Sequence, residues 1–197
     1  MASIPDCNEL LEQYFLPWYS DQDKAARGIT VVRPDVMQRT DWVGFSSSRI
    51  SRLYPEDQLR TIEQFSTTMG NAAVSDLGRL LNLPPSVDFD WIHAVDEYYD
   101  TERIAALLQD SDATEDGNPY FIVCIEIASL IGMMMRQLVP TLEWVGESPY
   151  WETWLWNSAT GHCVTPIDWA IKKLSDYGWD DGLVAKIYLI PELVHSS

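Results

Sequence analysis

The segment 118–138, NPYFIVCIEIASLIGMMMRQL, constrains the fold more than any other part of the chain. From position 120 to 135 the only charged residue is Glu126, so a helix here would be apolar on every side. Asn118 and Pro119 suit the cap and the first turn of such a helix. The run is shorter than the ~20 residues of a membrane span, contains an acid and lacks a basic flank. We therefore predict a central buried helix at about 119–138 and no membrane segment.

Glu126 is the unusual residue of this helix. A carboxylate removed from water must be paired, hydrogen-bonded or neutralised. The interpretation that we favour is a structural one, in which an arginine or a tyrosine is its internal partner. The alternative is a buried polar site formed with His93, which would make the chain a small enzyme or a ligand-binding domain with a pocket around Glu126.

The chain before this helix has mainly helical patterns. Apolar residues recur at three- and four-residue spacing between Leu59 and Leu80, which predicts one long helix or two with a break near Gly70. Asp88 is placed to cap the helix that follows. The expected elements are a helix after Asp6, a strand at 29–33, the long helix from Pro55 to before Pro84, a helix from Asp88 to Tyr99, and a helix at 101–109.

After Pro140 the pattern becomes that of strands. Candidate strands at 141–145 and 150–157 and a short third strand are separated by turns, and Thr165-Pro166 can open another helix. The β-branched run at 183–190 predicts a last strand. The sequence therefore predicts an α+β fold, one domain over 1–197, with a helical N-terminal half. The sheet is small, mainly antiparallel and part of a β-β-β-α-β order in the C-terminal third.

The strand 150–157, YWETWLWN, has large apolar groups on both faces. Alternation puts Trp154 and Trp156 on one face and Trp151 and Leu155 on the other. Packing of both faces in the core is the simpler interpretation. In the functional interpretation the face of Trp151 and Leu155 stays partly exposed and anchors a partner, because tryptophans are frequent interface hot spots.

No catalytic, metal or cofactor pattern stands out. His162 and Cys163 are adjacent, and neighbouring strand residues point to opposite faces, so they do not form a nucleophile and base pair. The loop 110–116 lacks the glycine and the closing glutamate of a calcium loop. HExxH, dinucleotide and P-loop motifs are absent. We assign no catalytic residue, metal or cofactor, and the three widely spaced cysteines are expected to be free thiols.

The charge of the chain is its strongest global property. The net charge is −17, and residues 88–116 hold ten acids and one base, Arg103. Such a surface repels nucleic acid and anionic membranes and favours a basic protein partner, such as a toxin or nuclease. The expected contact residues are Asp90, Asp96, Glu97, Asp100, Asp110, Asp112 and Asp116, with Trp151 as an aromatic anchor.

A resemblance adds to this interpretation. The succession of the apolar helix, LEWV, YWETWLWNSATG, VTPIDWAIKKL and DDGL resembles the C-terminal part of small, mostly uncharacterised bacterial α+β proteins, some of which are immunity proteins of toxin systems. It covers about residues 120–190, and the shared motifs are structural. The resemblance implies a cytoplasmic protein whose task is binding. We therefore expect a non-enzymatic inhibitor or immunity-type factor; a structural subunit of a larger assembly is a further alternative.

Overall fold

The fold is taken from a computed structural model of the chain. It describes residues 3–18, 62–115, 118–145, 153–158, 160–176, 182–184 and 186–187. Several expectations lie outside these residues, namely the strand at 29–33, the helix start at Pro55, and the proposed contacts Asp116 and Trp151.

The described residues form an α+β fold of six α-helices and a three-stranded antiparallel sheet, which confirms the predicted class. A 3-10 turn, Leu16–Trp18, follows the first helix. The helices are α1 (Cys7–Tyr14), α2 (Ile62–Leu81), α3 (Phe89–Tyr98), α4 (Thr101–Gln109), α5 (Pro119–Leu138) and α6 (Pro166–Lys173). The strands are β1 (Leu142–Val145), β2 (Trp154–Asn157) and β3 (Cys163–Val164).

Side-chain caps explain where four of these helices begin. Asp6 forms a capping box with Glu9 at the start of α1. The carboxylates of Asp88 and Asp100 accept backbone N–H groups at the starts of α3 and α4, and the Asn118 side chain does the same for α5. Each cap satisfies amides that have no partner within the helix, so these short polar residues set the helix boundaries.

Helix α5 is the centre of the fold, as the sequence predicts. It packs against α2 and α6, and thirteen of its residues are buried, Glu126 among them. Its length is 20 residues, so length and composition alone would allow a membrane span, contrary to our expectation from the sequence. Core helices of soluble proteins are often as long and as apolar as this one. In α5, 67% of an apolar 18-residue stretch is buried inside this protein.

Helix α2 is continuous through Gly70, so the alternative of two helices with a break there is wrong. Gly70 is buried opposite Met133 of α5, and a β-carbon at this position would meet the Met133 sulfur. The glycine therefore serves the close approach of two helices and does not end one. The helix ends instead at Leu81, where Asn82 has the left-handed φ of 55° and the Leu83 N–H bonds the Gly78 carbonyl at 2.9 Å.

The strands pair in the order β1-β2-β3, and β1 packs against α5. Trp144 pairs with Leu155, which pairs with Val164. Trp144 lies over Gly132 of α5, and a β-carbon on this glycine would meet the indole ring. Leu155 is 0% exposed, so the part of its face that the structure describes is packed in the core, and Trp151 lies outside the described residues. The half-buried side chains of β2 are those of Trp154 and Trp156, on the opposite face.

The expectation of a strand at 183–190 is also wrong for those residues of the range that the structure describes. Leu183, Val184, Lys186 and Ile187 are helical. Leu183 and Ile187 are both buried, and their four-residue spacing fits the same face of a strand or of a helix equally well. Asp96 favours the helix over the strand, because its carboxylate accepts the N–H groups of Leu183 and Val184, each at 3.1 Å, and so caps the start of the helical residues. A cap supplied from α3 is not visible in the local sequence.

Candidate partner-binding surface

The acidic segment forms α3, α4 and the loop after α4. Five of the expected contact residues have exposed positions: Asp90, Glu97, Asp100, Asp110 and Asp112. Asp90 lies in the first turn of α3, Asp100 caps α4, and Asp110 is the C-terminal cap residue of the same helix. Asp112 accepts hydrogen bonds from the backbone and the hydroxyl of Thr114. The exposed acids Glu102 and Glu115 belong to the same segment.

Arg103 is the one base within this segment, and its position is fixed by its neighbours. Its guanidinium donates to the Asp100 carboxylate at 2.7 Å and to the Tyr98 carbonyl at 3.0 Å. The same group lies over the Tyr98 ring, 4.5 Å from its centroid. Arg103 therefore offsets the charge of Asp100 and leaves the segment strongly negative.

Other bases of the described chain are also engaged with acids. Arg79 pairs with Asp76 and Arg136 with Glu63, at 3.5 Å and 2.7 Å. Such exposed pairs contribute little to stability, but they do cancel charge locally. The segment 88–116, with ten acids and one base, therefore carries more than half of the net charge of −17.

Asp96 differs from the other expected contacts. Its side chain is 15% exposed, lies 3.5 Å from the Lys173 ammonium, and caps the C-terminal helical residues. A β-carbon on Gly182 would lie 3.0 Å from its carboxylate. The structure thus gives Asp96 an internal role, which its sequence position on an acidic helix did not reveal.

Glu126 and His93 have different surroundings. His93 is exposed on α3, whereas Glu126 is 7% exposed within the core helix. Burial raises the pKa of Glu126 to about 7, and the nearby charge of Asp76 adds to the effect. Glu126 in turn helps to raise the pKa of Tyr99, although burial is the main cause there. The electrostatic neighbours of Glu126 are therefore an acid of α2 and a tyrosine at the end of α3.

The face of the sheet opposite Leu155 carries the aromatic side chains Trp154 and Trp156, and the sequence alone did not decide whether this face or that of Trp151 is the exposed one. Trp156 is paired with the exposed Glu143 on β1 and the exposed Cys163 on β3, whereas Trp154 is paired with Val145, which is 1% exposed. This face is therefore open around Trp156 and covered at Val145. The acid on β1 indicates which face points outward, but this signal is usable only when the strand register is known.

A cleft between α1, α4 and the N-terminal residues 3–5 was also not foreseen. Its volume is about 530 Å³. Ile104 is the one buried residue of α4. Leu107 and Leu108 are half-buried against the core, and Thr101, Glu102, Ala105 and Gln109 are exposed. The lining residues are Ser3, Ile4, Pro5, Gln13, Tyr14, Thr101, Glu102, Ala105, Leu108 and Gln109.

In the described part of the chain, no group of three or more histidines, cysteines, aspartates or glutamates is placed to hold a metal ion. No family model, curated protein or solved structure matches this chain. The resemblance to immunity-type proteins stays a prediction. The geometry that bears on function is therefore the acidic surface, the outer aromatic face and the cleft.

Proposed function

We propose that this protein is a non-enzymatic, acidic binding factor of the inhibitor or immunity type, which neutralises a basic protein partner such as a toxin or nuclease. Binding would take place in the cytoplasm and involve neither nucleic acid nor a membrane directly. The observation that carries the proposal is the row of exposed carboxylates on α3, α4 and the next loop, where Arg103 is the sole base.

Electrostatics give this arrangement a physical function. Complementary charge speeds the encounter with a basic protein and disfavours anionic competitors. Affinity would come mainly from apolar contacts that exclude water beside the charged groups. Half-buried Trp154 and Trp156 and the cleft beside α4 are apolar surfaces of this kind.

Charge-neutralised variants test the proposal. The protein and the triple variant Asp90→Asn, Glu97→Gln, Asp110→Asn are used to capture partners from the native host, and captured proteins are identified by mass spectrometry. The purified partner is then titrated at low and high salt. We expect a basic partner whose affinity falls with salt and falls at least tenfold in the triple variant, which corresponds to about 1.4 kcal/mol.

The matched control removes the same charge elsewhere: Glu63→Gln, Asp168→Asn, Asp176→Asn. All six positions are exposed, and Asp90 and Asp168 both lie in the first turn of a helix. This control should keep most of the affinity. A partner whose binding is insensitive to salt and equally affected by both variants would disprove the proposal.

A further inference from the structure

We propose that the cleft between α1 and α4 is the docking groove for an amphipathic, cationic segment of the protein partner, which inserts apolar side chains between the two helices. This inference rests on the proposed function and gives it a location. The groove has an apolar floor, an acidic border and walls that are held in place.

The floor of the cleft is apolar. Five of its ten lining residues are apolar or aromatic, namely Ile4, Pro5, Tyr14, Ala105 and Leu108. The volume of about 530 Å³ is within the range of sites that enclose several apolar groups. Apolar side chains of a partner would therefore lose water-exposed surface here, which is the main source of affinity in helix-in-groove recognition.

The border of the cleft is acidic. Glu102 is one of its lining residues, and the exposed Asp110 follows the lining residue Gln109 at the end of α4. Asp100, at the start of α4, is paired with Arg103 and adds little net charge. The complementary occupant carries lysine or arginine beside its apolar residues. An acidic or purely apolar segment lacks this complementarity.

The walls are fixed by hydrogen bonds across the fold. The Tyr14 hydroxyl donates to the Ser111 carbonyl at 3.2 Å, which ties α1 to the loop after α4. The Asp176 N–H donates to the Pro5 carbonyl at 3.1 Å, which ties the N-terminal residues to the end of α6. The groove is therefore preformed, and a ligand does not have to order it.

Two alanines of α4 provide the test. Ala105 and Ala106 are both exposed, but only Ala105 lines the cleft. Ala105→Trp fills the cleft without a change of charge, and Ala106→Trp is its matched control on the same helix. Circular dichroism and thermal unfolding verify that both variants keep the fold.

The probes are two dye-labelled synthetic peptides of equal charge, one a leucine-lysine amphipathic helix and the other its serine-lysine analogue. Fluorescence anisotropy measures their binding at low and high salt. We expect the leucine peptide to bind the wild-type protein at least tenfold more tightly than the serine peptide. Ala105→Trp should remove most of this preference, and Ala106→Trp should keep it.

The possible failures are distinguishable. Equal binding of both peptides, or equal loss in both tryptophan variants, would overturn the docking groove but leave salt-dependent binding to the acidic surface intact. If neither peptide binds even at low salt, both the groove and the proposed preference for basic partners are contradicted.

Discussion

The Lys173 ammonium donates a hydrogen bond to the Asp96 backbone carbonyl at 2.7 Å and lies 3.5 Å from the Asp96 carboxylate. The lysine side chain is 5% exposed, so this contact between α6 and α3 is almost removed from water. The same carboxylate accepts the N–H groups of Leu183 and Val184. One aspartate of α3 thus contacts α6 and the C-terminal helical residues, which lie 77 or more positions later in the sequence.

Asp96→Ala should destabilise the protein by about 3 to 5 kcal/mol, because it leaves a buried ammonium without its carboxylate and removes the cap of the C-terminal helical residues. The exposed neighbour gives the control: Glu97→Ala should change the stability by less than about 0.5 kcal/mol. Urea unfolding followed by circular dichroism measures both. Similar stabilities for the two variants would show that the contact has no structural importance.

Gly132→Ala should destabilise the protein by about 2 kcal/mol or more, although alanine is the better helix former. The new methyl group would overlap the Trp144 indole, a rigid ring between α5 and β1. Gly70→Ala is the matched comparison, since its methyl group would meet the flexible end of Met133. Thermal unfolding measures the stability of both variants, and Gly70→Ala should lower it less than Gly132→Ala does. The reverse order would contradict the packing of Trp144 on Gly132.

Glu126 should make the protein less stable as the pH rises. Its pKa is about 7 in the folded state against an ordinary 4.5, so the native protein keeps a proton that the unfolded chain loses in this window. The contribution of Glu126 to the free energy of unfolding is therefore most favourable below about pH 4.5 and is lost as the pH rises towards 7. Between these two limits the free energy of unfolding should fall by about 3 kcal/mol.

The pH effect is measured by urea unfolding between pH 5 and 8. Glu126→Gln cannot ionise and should flatten the curve, with higher stability than the wild type at pH 8. Glu143→Gln replaces an exposed glutamate and should leave the curve unchanged. If the stability of the wild type does not fall between pH 5 and 8, then ionisation of Glu126 in the folded protein costs little free energy.

The three thiols should react in the order of their exposure. Cys163 is exposed, Cys7 is half-buried and Cys124 is fully buried, and burial raises the pKa of the Cys124 thiol. Because the thiolate is the nucleophile, Cys124 should react with Ellman's reagent only when the protein unfolds. Cys163→Ser should remove the fastest phase. Rapid reaction of three thiols in the folded protein would contradict the central position of α5.

Local signals in the sequence predict most of the described helices. Asp6, Asp88 and Asn118 set helix starts through contacts within three residues, so the sequence contains the whole cap. The predicted bounds of α5, 119–138, are confirmed, because the Asn118 cap and the continuous apolar run that follows are both local signals.

Features that depend on distant partners could not be predicted in this way. The helical state of Leu183, Val184, Lys186 and Ile187 involves a carboxylate almost ninety positions away from Leu183, in α3. The face of β2 that is covered depends on its pairing with β1, which the alternation of β2 alone does not contain. The cleft depends on how α1 and α4 lie beside each other, so no local pattern marks it.

The central position of α5 has a consequence for synthesis of the chain on the ribosome. Residues of β1, β2, β3 and α6, which cover this helix, are translated after it, and α6 ends 35 positions later at Lys173. At typical elongation rates this delay is roughly 2 to 7 seconds, during which a nearly uncharged helix has an incomplete cover. The nascent chain is then a good substrate for a holding chaperone, and α2, translated earlier, is its first native partner.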